Sequence, residues 1–419
     1  NIHMKTLRQS MVEYATKFRA SGFASDDTCF AVRLDEQTFM LSPLFKDREV
    51  TAEDISIIVT DDFDNAASLK DKAIFFYDLF LKRKDIWTAG IFKSKYAFEL
   101  CQKGKTIPPI LDDMCQILAT RIETVDKLDI TQVLSALKGE NACQVRDYGM
   151  IVGERSLDEL YTAANVLEKT AHCYIKAKQI GGGKHIPKFL AWAEHKVFKS
   201  VYSVQNQKSQ RVLEGINDFS ETQKYIYSKS KDKEDNIDER VAVLNIIKRM
   251  SENDFVQGTW GNVSLRLDGN TILCTPKGIG YNVLRPQDMV IVDAGSGESK
   301  GNIAATSEKG IHAGIQLNNP NYNAVLHAHP TYISIFAAAH QDLVIENEDD
   351  KKLLGDIVKV SSYASPSTKW LTKQTLLAFG NGRAAFMANH GVIVAGEDLE
   401  TAYNALERLE EICKSKIEE

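Results

Sequence analysis

The sequence predicts two α/β domains in tandem, each built in three layers with helices around a mixed or antiparallel sheet. Three observations lead there: an internal repeat, the same order of patterns in each copy, and a glycine-led polar stretch between the copies. The repeat is read directly. Val32–Pro43 (VRLDEQTFMLSP) lines up with Leu265–Pro276 (LRLDGNTILCTP), matching Arg33 with Arg266, Asp35 with Asp268, Thr38 with Thr271 and Pro43 with Pro276. Thr51–Val59 (TAEDISIIV) parallels Arg285–Asp293 (RPQDMVIVD), and Asp147–Thr170 parallels Asn389–Ile412. The offset between the copies grows slowly, as a few loop insertions would cause. Each copy runs helix, strands, helix, strand, helix, strand pair, long helix. The last helix is well signalled: Asp398 can cap it, and Leu399, Leu406, Leu409 and Ile412 give it an apolar stripe of helical period.

The connecting stretch starts at Gly181-Gly182-Gly183 and ends in the polar run Ser228–Glu239, with an apolar, helix-like middle at Ile186–Phe198. The expected domains are therefore 4–180, a helical linker 181–235 with its boundary near 210–235, and 236–419. Asn1-Ile2-His3 ahead of Met4 reads as vector-derived. With 419 residues and 43% hydrophobic content there is enough apolar side chain for proper cores. A formal charge of −6 with no basic patch argues against nucleic acid, and no run of about 18 apolar residues suggests a membrane span. Seven cysteines without a Cys-x-x-Cys pair, and no secretory signal pattern, point to the reducing cytoplasm.

Chemistry concentrates in the second copy. Asn323–Pro330 (NAVLHAHP) is a β-branched, apolar strand pattern, and residues two apart on a strand, about 7 Å, face one side. His327 and His329 can thus close on one metal ion, and zinc favours a third nitrogen with an open fourth position. The third nitrogen is offered by His390, in a tight turn (Asn389-His390-Gly391) between two short strands. Three ordinary histidines near a sheet are the alternative. Two facts weigh against it. Of nine histidines, five lie between His312 and His390, and the first copy puts Ile91, Lys93 and Tyr148 where His327, His329 and His390 stand. Loss of all three together, in a repeat that keeps its scaffold, marks the first copy as metal-free.

Around the triad lie turns suited to an anion. Gly261-Asn262 precedes a strand, Thr275-Pro276-Lys277-Gly278 follows the next, and Thr306-Ser307-Glu308 opens a helix. Glycine admits close backbone approach and helix starts offer free N–H groups, although each motif alone is also a common turn. The first copy replaces them with Thr28-Cys29 and Ser42-Pro43-Leu44-Phe45. Glu308 is the acid–base candidate, or else a helix N-terminal charge. His312 reads as orienting Glu308 or packing, His340 as a helix cap, and Tyr363 as either a proton donor or a solvent-facing tyrosine.

In order, GNVSLR, TPKGIGY, DMVIVD, TSEKGIH, NAVLHAHP, YASPST and NHGVIVAGEDLETA cover Val241–Lys414, and their combination resembles the class II aldolase/adducin family, typified by L-fuculose-phosphate aldolase. The resemblance implies two class II aldolase-like three-layer α/β/α domains, each with a central, mostly antiparallel sheet. It implies one zinc per chain on His327, His329 and His390, with Glu308 as fourth ligand and acid–base. Substrate phosphate would rest on Gly261, Asn262, Thr275, Gly278, Thr306 and Ser307, and Tyr363 matches a tyrosine that moves a proton on the sugar hydroxyl. Lys277 stands where many members carry a small hydroxyl residue, so it binds phosphate or selects another anion. The implied activity is a zinc-dependent lyase on a phosphorylated ketose such as fuculose 1-phosphate. Alternatives are a dehydratase, epimerase or decarboxylase of the same family, or a non-catalytic adducin-like interaction protein. A homo-oligomer is implied too, either a tetramer or a dimer of tandem chains forming a pseudo-tetramer.

Overall fold

The two long helices that close the copies and the strand pairs that precede them are where the repeat is most visible in three dimensions. The computed structural model describes residues 2–46, 48–59, 62–202, 235–281, 283–301 and 303–419. The first copy runs α1 (Ile2–Ala20), β1 (Cys29–Arg33), β2 (Thr38–Leu41), β3 (Ser56–Val59), α2 (Lys70–Lys82), β4 (Thr88–Phe92) and α3 (Lys95–Gln102). It continues with β5 (Thr124–Val125), α4 (Ile130–Leu137), β6 (Ala142–Val145), β7 (Gly149–Glu154) and α5 (Leu157–Ala177). After α6 (Lys188–Val197), the second copy runs α7 (Ile237–Glu252), β8 (Asn262–Asp268), β9 (Thr271–Cys274), β10 (Val290–Asp293), α8 (Lys309–Asn318), β11 (Ala324–Ala328) and α9 (Thr331–Ala339). It closes with β12 (Leu343–Val344), α10 (Glu348–Leu354), β13 (Ile357–Val360), α11 (Lys369–Phe379), β14 (Ala384–Met387), β15 (Gly391–Gly396) and α12 (Leu399–Glu418).

The sheets share a topology. The first has the order β3-β2-β1-β4-β7-β6-β5, and the second β10-β9-β8-β11-β15-β14-β13 with β12 added at its edge. Neighbours are antiparallel except β5–β6 and, at the matching place, β13–β14. The expected fold class holds: two α/β halves, each on a mostly antiparallel sheet. Both central strand pairs are buried throughout, because both sheet faces are covered and water reaches neither. In the first copy Phe39, Phe76, Leu79, Ile91 and Ile151 pack into one core; in the second Ile311, Val325, Leu371, Met387 and Ile393 do so.

Asp398 caps α12 by accepting from the Thr401 N–H, as its position suggested. Leu399, Leu406 and Leu409 are buried, and the stripe continues at Cys413 and Ile417, leaving Ile412 half-buried. α6 forms within the apolar middle of the connecting stretch. The boundary expected near 210–235 lies almost wholly outside the described residues. By contacts the described chain divides into a first unit (2–109, 113–172, 191–202) and a second (110–112, 173–190, 235–419). Residues 110–112, which the repeat assigns to the first copy, thus cluster with the second. Among the described residues no helix is long and apolar enough to cross a membrane.

Candidate metal centre

The central strand β11 places the first imidazole. His327 pairs with Ile393 on β15 and with Asn262 on β8, and its Nδ1 meets the Val392 carbonyl at 2.9 Å. A donated Nδ1–H leaves the Nε2 lone pair facing inward. His329 follows the strand end, pinned by its backbone N–H on the Phe255 carbonyl (2.8 Å), and its Nε2 lies 2.8 Å from that of His327. His390 comes from the β14–β15 turn. Asn389 holds φ +59° there, and the His390 N–H closes on the Met387 carbonyl. Gly391 is required at the next position: a Cβ would stand 2.4 Å from the Ala328 carbonyl oxygen and 2.9 Å from Cδ2 of His329.

Ligand atoms of His327, His329 and His390 lie within 4.8 Å of one another, and all three residues are buried. Glu308, at the start of α8, joins them: Oε2 is 3.3 Å from His327 Nε2 and Oε1 is 3.2 Å from His390 Nε2. Three imidazole nitrogens and a carboxylate converging in a buried pocket are a borderline-soft, anionic donor set that fits zinc.

A directed chain of hydrogen bonds fixes Glu308. Gln316 Nε2 donates to Ser264 Oγ (2.9 Å), which sits 2.6 Å from His312 Nδ1. His312 Nε2 meets Asn262 Oδ1, and Asn262 Nδ2 donates to Glu308 Oε2 at 2.7 Å. Burial pushes His312 down to about 3, so the ring is neutral and can relay this order, with Nε2–H donating. Burial likewise lowers His327, to about 4. His390 goes the other way: burial opposes its charge, but hydrogen bonds to Asp112 and Glu308 outweigh that and raise it to about 10. Burial raises Glu308 as well, yet His327 and His390 overcome it and hold the carboxyl well below the usual range.

The turns assemble next to this cluster. The Thr275 hydroxyl accepts from the Val263 N–H, the Thr306 N–H donates to the Thr275 carbonyl, and the Lys277 N–H donates to the Ala304 carbonyl. Thr306 Oγ1 accepts from the Glu308 N–H, and Ser307 Oγ is 3.3 Å from Ser367 Oγ. Gly278 holds φ +70°, and a Cβ on Gly261 would overlap Val256 at 2.1 Å. Asn262 differs from its expected setting: its amide is engaged by Glu308 and His312. The Tyr363 hydroxyl donates to Asp112 Oδ1 (2.8 Å), and His340 caps α9 with φ +53°. Sequence reasoning missed Asp112, Tyr281, whose hydroxyl donates to the Gly261 carbonyl, and Ser367, which holds φ +62°. Ser367 lies within the quoted YASPST run, but no local pattern marks Asp112.

The first copy keeps the frame without the donors. Ile91 is core, Lys93 Nζ is 3.0 Å from Asp27 Oδ2, and Lys72 Nζ is 3.7 Å from Asp27 Oδ1 and lies over the Tyr148 ring.

Residues 10–175 and 241–417 each match the family described as Class II Aldolase and Adducin N-terminal domain, so the chain belongs to that family. It is 30% identical over 171 residues to the L-fuculose phosphate aldolase of Methanococcus maripaludis, covering 41% of this chain and 92% of that protein. It is 27% identical to the 5-methylthioribulose-1-phosphate/5-deoxyribulose-1-phosphate aldolase of Rhodospirillum rubrum, covering 42% and 78%. Similarity extends to the 3-oxo-tetronate 4-phosphate decarboxylase of Haemophilus influenzae at 28% identity, covering 39% and 79%. Among solved structures, an L-fuculose 1-phosphate aldolase is 28% identical, covering 42% of this chain and 82% of its own, with a TM-score of 0.39.

Proposed function

We propose that the second copy is a zinc-dependent lyase that breaks or forms a carbon–carbon bond in a phosphorylated ketose. The observation that carries this reading is the buried meeting of His327, His329, His390 and Glu308. These four residues would hold one zinc per chain, and the bound ion would supply Lewis-acid polarisation of a substrate carbonyl. Glu308, steadied by Asn262, would move the proton at the carbon beside that carbonyl. The N–H and hydroxyl groups of Gly261, Asn262, Thr275, Gly278, Thr306 and Ser307, with Lys277, would hold the phosphate and orient the reacting carbons. Asn262 takes part through its backbone in this reading, since its amide is engaged elsewhere. Tyr363 would exchange a proton with a sugar hydroxyl.

The named relatives act on phosphorylated sugars and sugar acids, which supports the substrate class. The decarboxylase among them supports a second reading, loss of carbon dioxide from a sugar-acid phosphate. The division into domains 4–180 and 236–419 around a linker, a homo-oligomeric state and a cytoplasmic location belong to the same proposal. The last is supported by seven cysteines, all of them buried.

The test uses the full chain loaded with zinc and assayed against a panel of ketose 1-phosphates and sugar-acid phosphates. We expect one zinc per chain, turnover of at least one member, and a kcat lower by roughly 100-fold or more in Glu308→Gln. Zinc well below one per chain, unchanged in His390→Ala, would put a non-catalytic scaffold ahead.

A further inference from the structure

Each imidazole that binds a metal through one nitrogen has a second nitrogen, whose partner fixes the ring's tautomer and aim. For His327 that partner is a neutral main-chain carbonyl, on Val392. For His390 it is a carboxylate from 278 positions earlier in the chain: Asp112 Oδ2, 2.7 Å from Nδ1.

We infer that Asp112, encoded in the copy without metal ligands, is a positioning residue of the second copy's metal centre, holding His390 with Nε2 aimed at the ion. This inference rests on the zinc reading given above.

Asp112 is fully buried, so its carboxylate needs donors to offset lost hydration. His390 donates to one oxygen and the Tyr363 hydroxyl to the other, at 2.8 Å. The residue is also tied down beside the ligand it serves. The Asp112 N–H donates to the Asn389 carbonyl (2.7 Å), and Asn389 Nδ2 donates back to the Ile110 carbonyl (2.9 Å). Asn389 Nδ2 reaches the Lys184 carbonyl too, at 2.7 Å, so the turn bearing His390 is braced by segments 110–112 and 173–190 of the same compact unit. The next carboxylate, Asp113, belongs to the other unit and pairs with buried Lys169. Two adjacent acids thus belong to different units.

Two consequences follow. The degenerate copy is not spare sequence, because it encodes a side chain that the ligand cluster needs. Tyr363 is coupled to the ligand set through the same carboxylate, so its hydroxyl direction and the ring of His390 are set together.

The experiment measures zinc affinity of the full chain by competition with a chromophoric chelator, for the parent, Asp112→Leu and Asp112→Asn. Leucine keeps the volume and removes the acceptor; asparagine keeps one acceptor for the His390 N–H. We expect leucine to weaken zinc roughly 10- to 100-fold and asparagine to restore part of that loss. Thermal unfolding of the zinc-free proteins, run alongside, separates fold from site. Leucine at parental affinity overturns the inference, even where it lowers thermal stability. Should leucine fail to fold, the asparagine variant decides: a measurable weakening supports the inference and parental affinity overturns it. A parent chain that takes up no zinc overturns the zinc reading and this inference together, whereas a parent that binds and a leucine variant that binds equally overturns this one alone.

Discussion

Two turns in this molecule open alike and carry opposite chemistry. Asp147-Tyr148-Gly149 and Asn389-His390-Gly391 each begin at positive φ (+70° and +59°) and close on a carbonyl two strands' ends share, that of Val145 or Met387. Each has a glycine whose Cβ would strike the carbonyl of the neighbouring strand, at 2.3 Å from Phe92 and 2.4 Å from Ala328. The frame therefore persists for reasons of sheet geometry that no ligand imposes. What differs is the middle side chain and its surroundings. Around Tyr148, ammonium groups and one aspartate occupy the ground that imidazoles and Glu308 hold around His390. The teaching is that backbone and chemistry are selected separately here, so a repeat can lose its donors while keeping the turn that carried one of them.

The largest expected effect tests that separation at matched positions. His329→Ala should lower zinc affinity by more than about 100-fold, since it removes one of the proposed ligands, while Lys93→Ala in the first copy should leave zinc content at the parental level. Metal analysis after dialysis against a weak chelator checks both. Equal losses in the two variants would mean that the copies share one centre rather than dividing scaffold from chemistry.

How much of this was legible follows from the range of each signal. The repeat made the α/β class of both copies readable, and the two-residue period of strands made the pairing of His327 with His329 readable, because each is written in short runs of sequence. The Asn389-His390-Gly391 turn was readable from its residue types. Asn262 was only half readable: its place in a glycine-bearing turn is local, but the direction of its amide depends on His312 and Glu308, 50 and 46 residues away. Asp112 was not readable at all. Its function depends on where the chain path carries a buried segment, and neither spacing nor composition records that path.

A middle-sized effect contrasts the way each compact unit buries histidine. His390 sits against Asp112 and Glu308 and is raised. His195, in the first unit, hands its Nδ1 to the Cys115 carbonyl at 2.9 Å with Glu140 no nearer than 4.0 Å, and burial together with Lys199 pushes it down to about 3. The sign is then clear. Below about pH 6.5 the unfolded chain takes up a proton that the folded chain refuses, so stability falls as pH drops from 6.5 toward 3. Between pH 7 and pH 5 this one residue should cost about 2 kcal/mol. His195→Asn, which can still donate to Cys115, should flatten that part of the dependence in urea titrations. A parental slope in the variant would show that His195 is not the group responsible.

The smallest effect concerns what filled the first copy's vacated ground. Asp27 faces Lys93 at 3.0 Å and Lys72 at 3.7 Å, but these side chains keep 31%, 25% and 17% exposure, so water screens the pairs. The lysine ammoniums also lie against rings, Lys72 over Tyr148 and Lys93 over Phe98, which holds them without help from the aspartate. Asp27→Ala should therefore reduce stability by no more than about 1 kcal/mol, read from the shift of the denaturation midpoint at constant slope, and should not change zinc binding. A loss of several kcal/mol would mean that the carboxylate organises its lysines as the second copy's Glu308 is organised among imidazoles. The first copy would then hold a built polar centre of its own, and the contrast between the two turns would be one of chemistry exchanged, not chemistry lost.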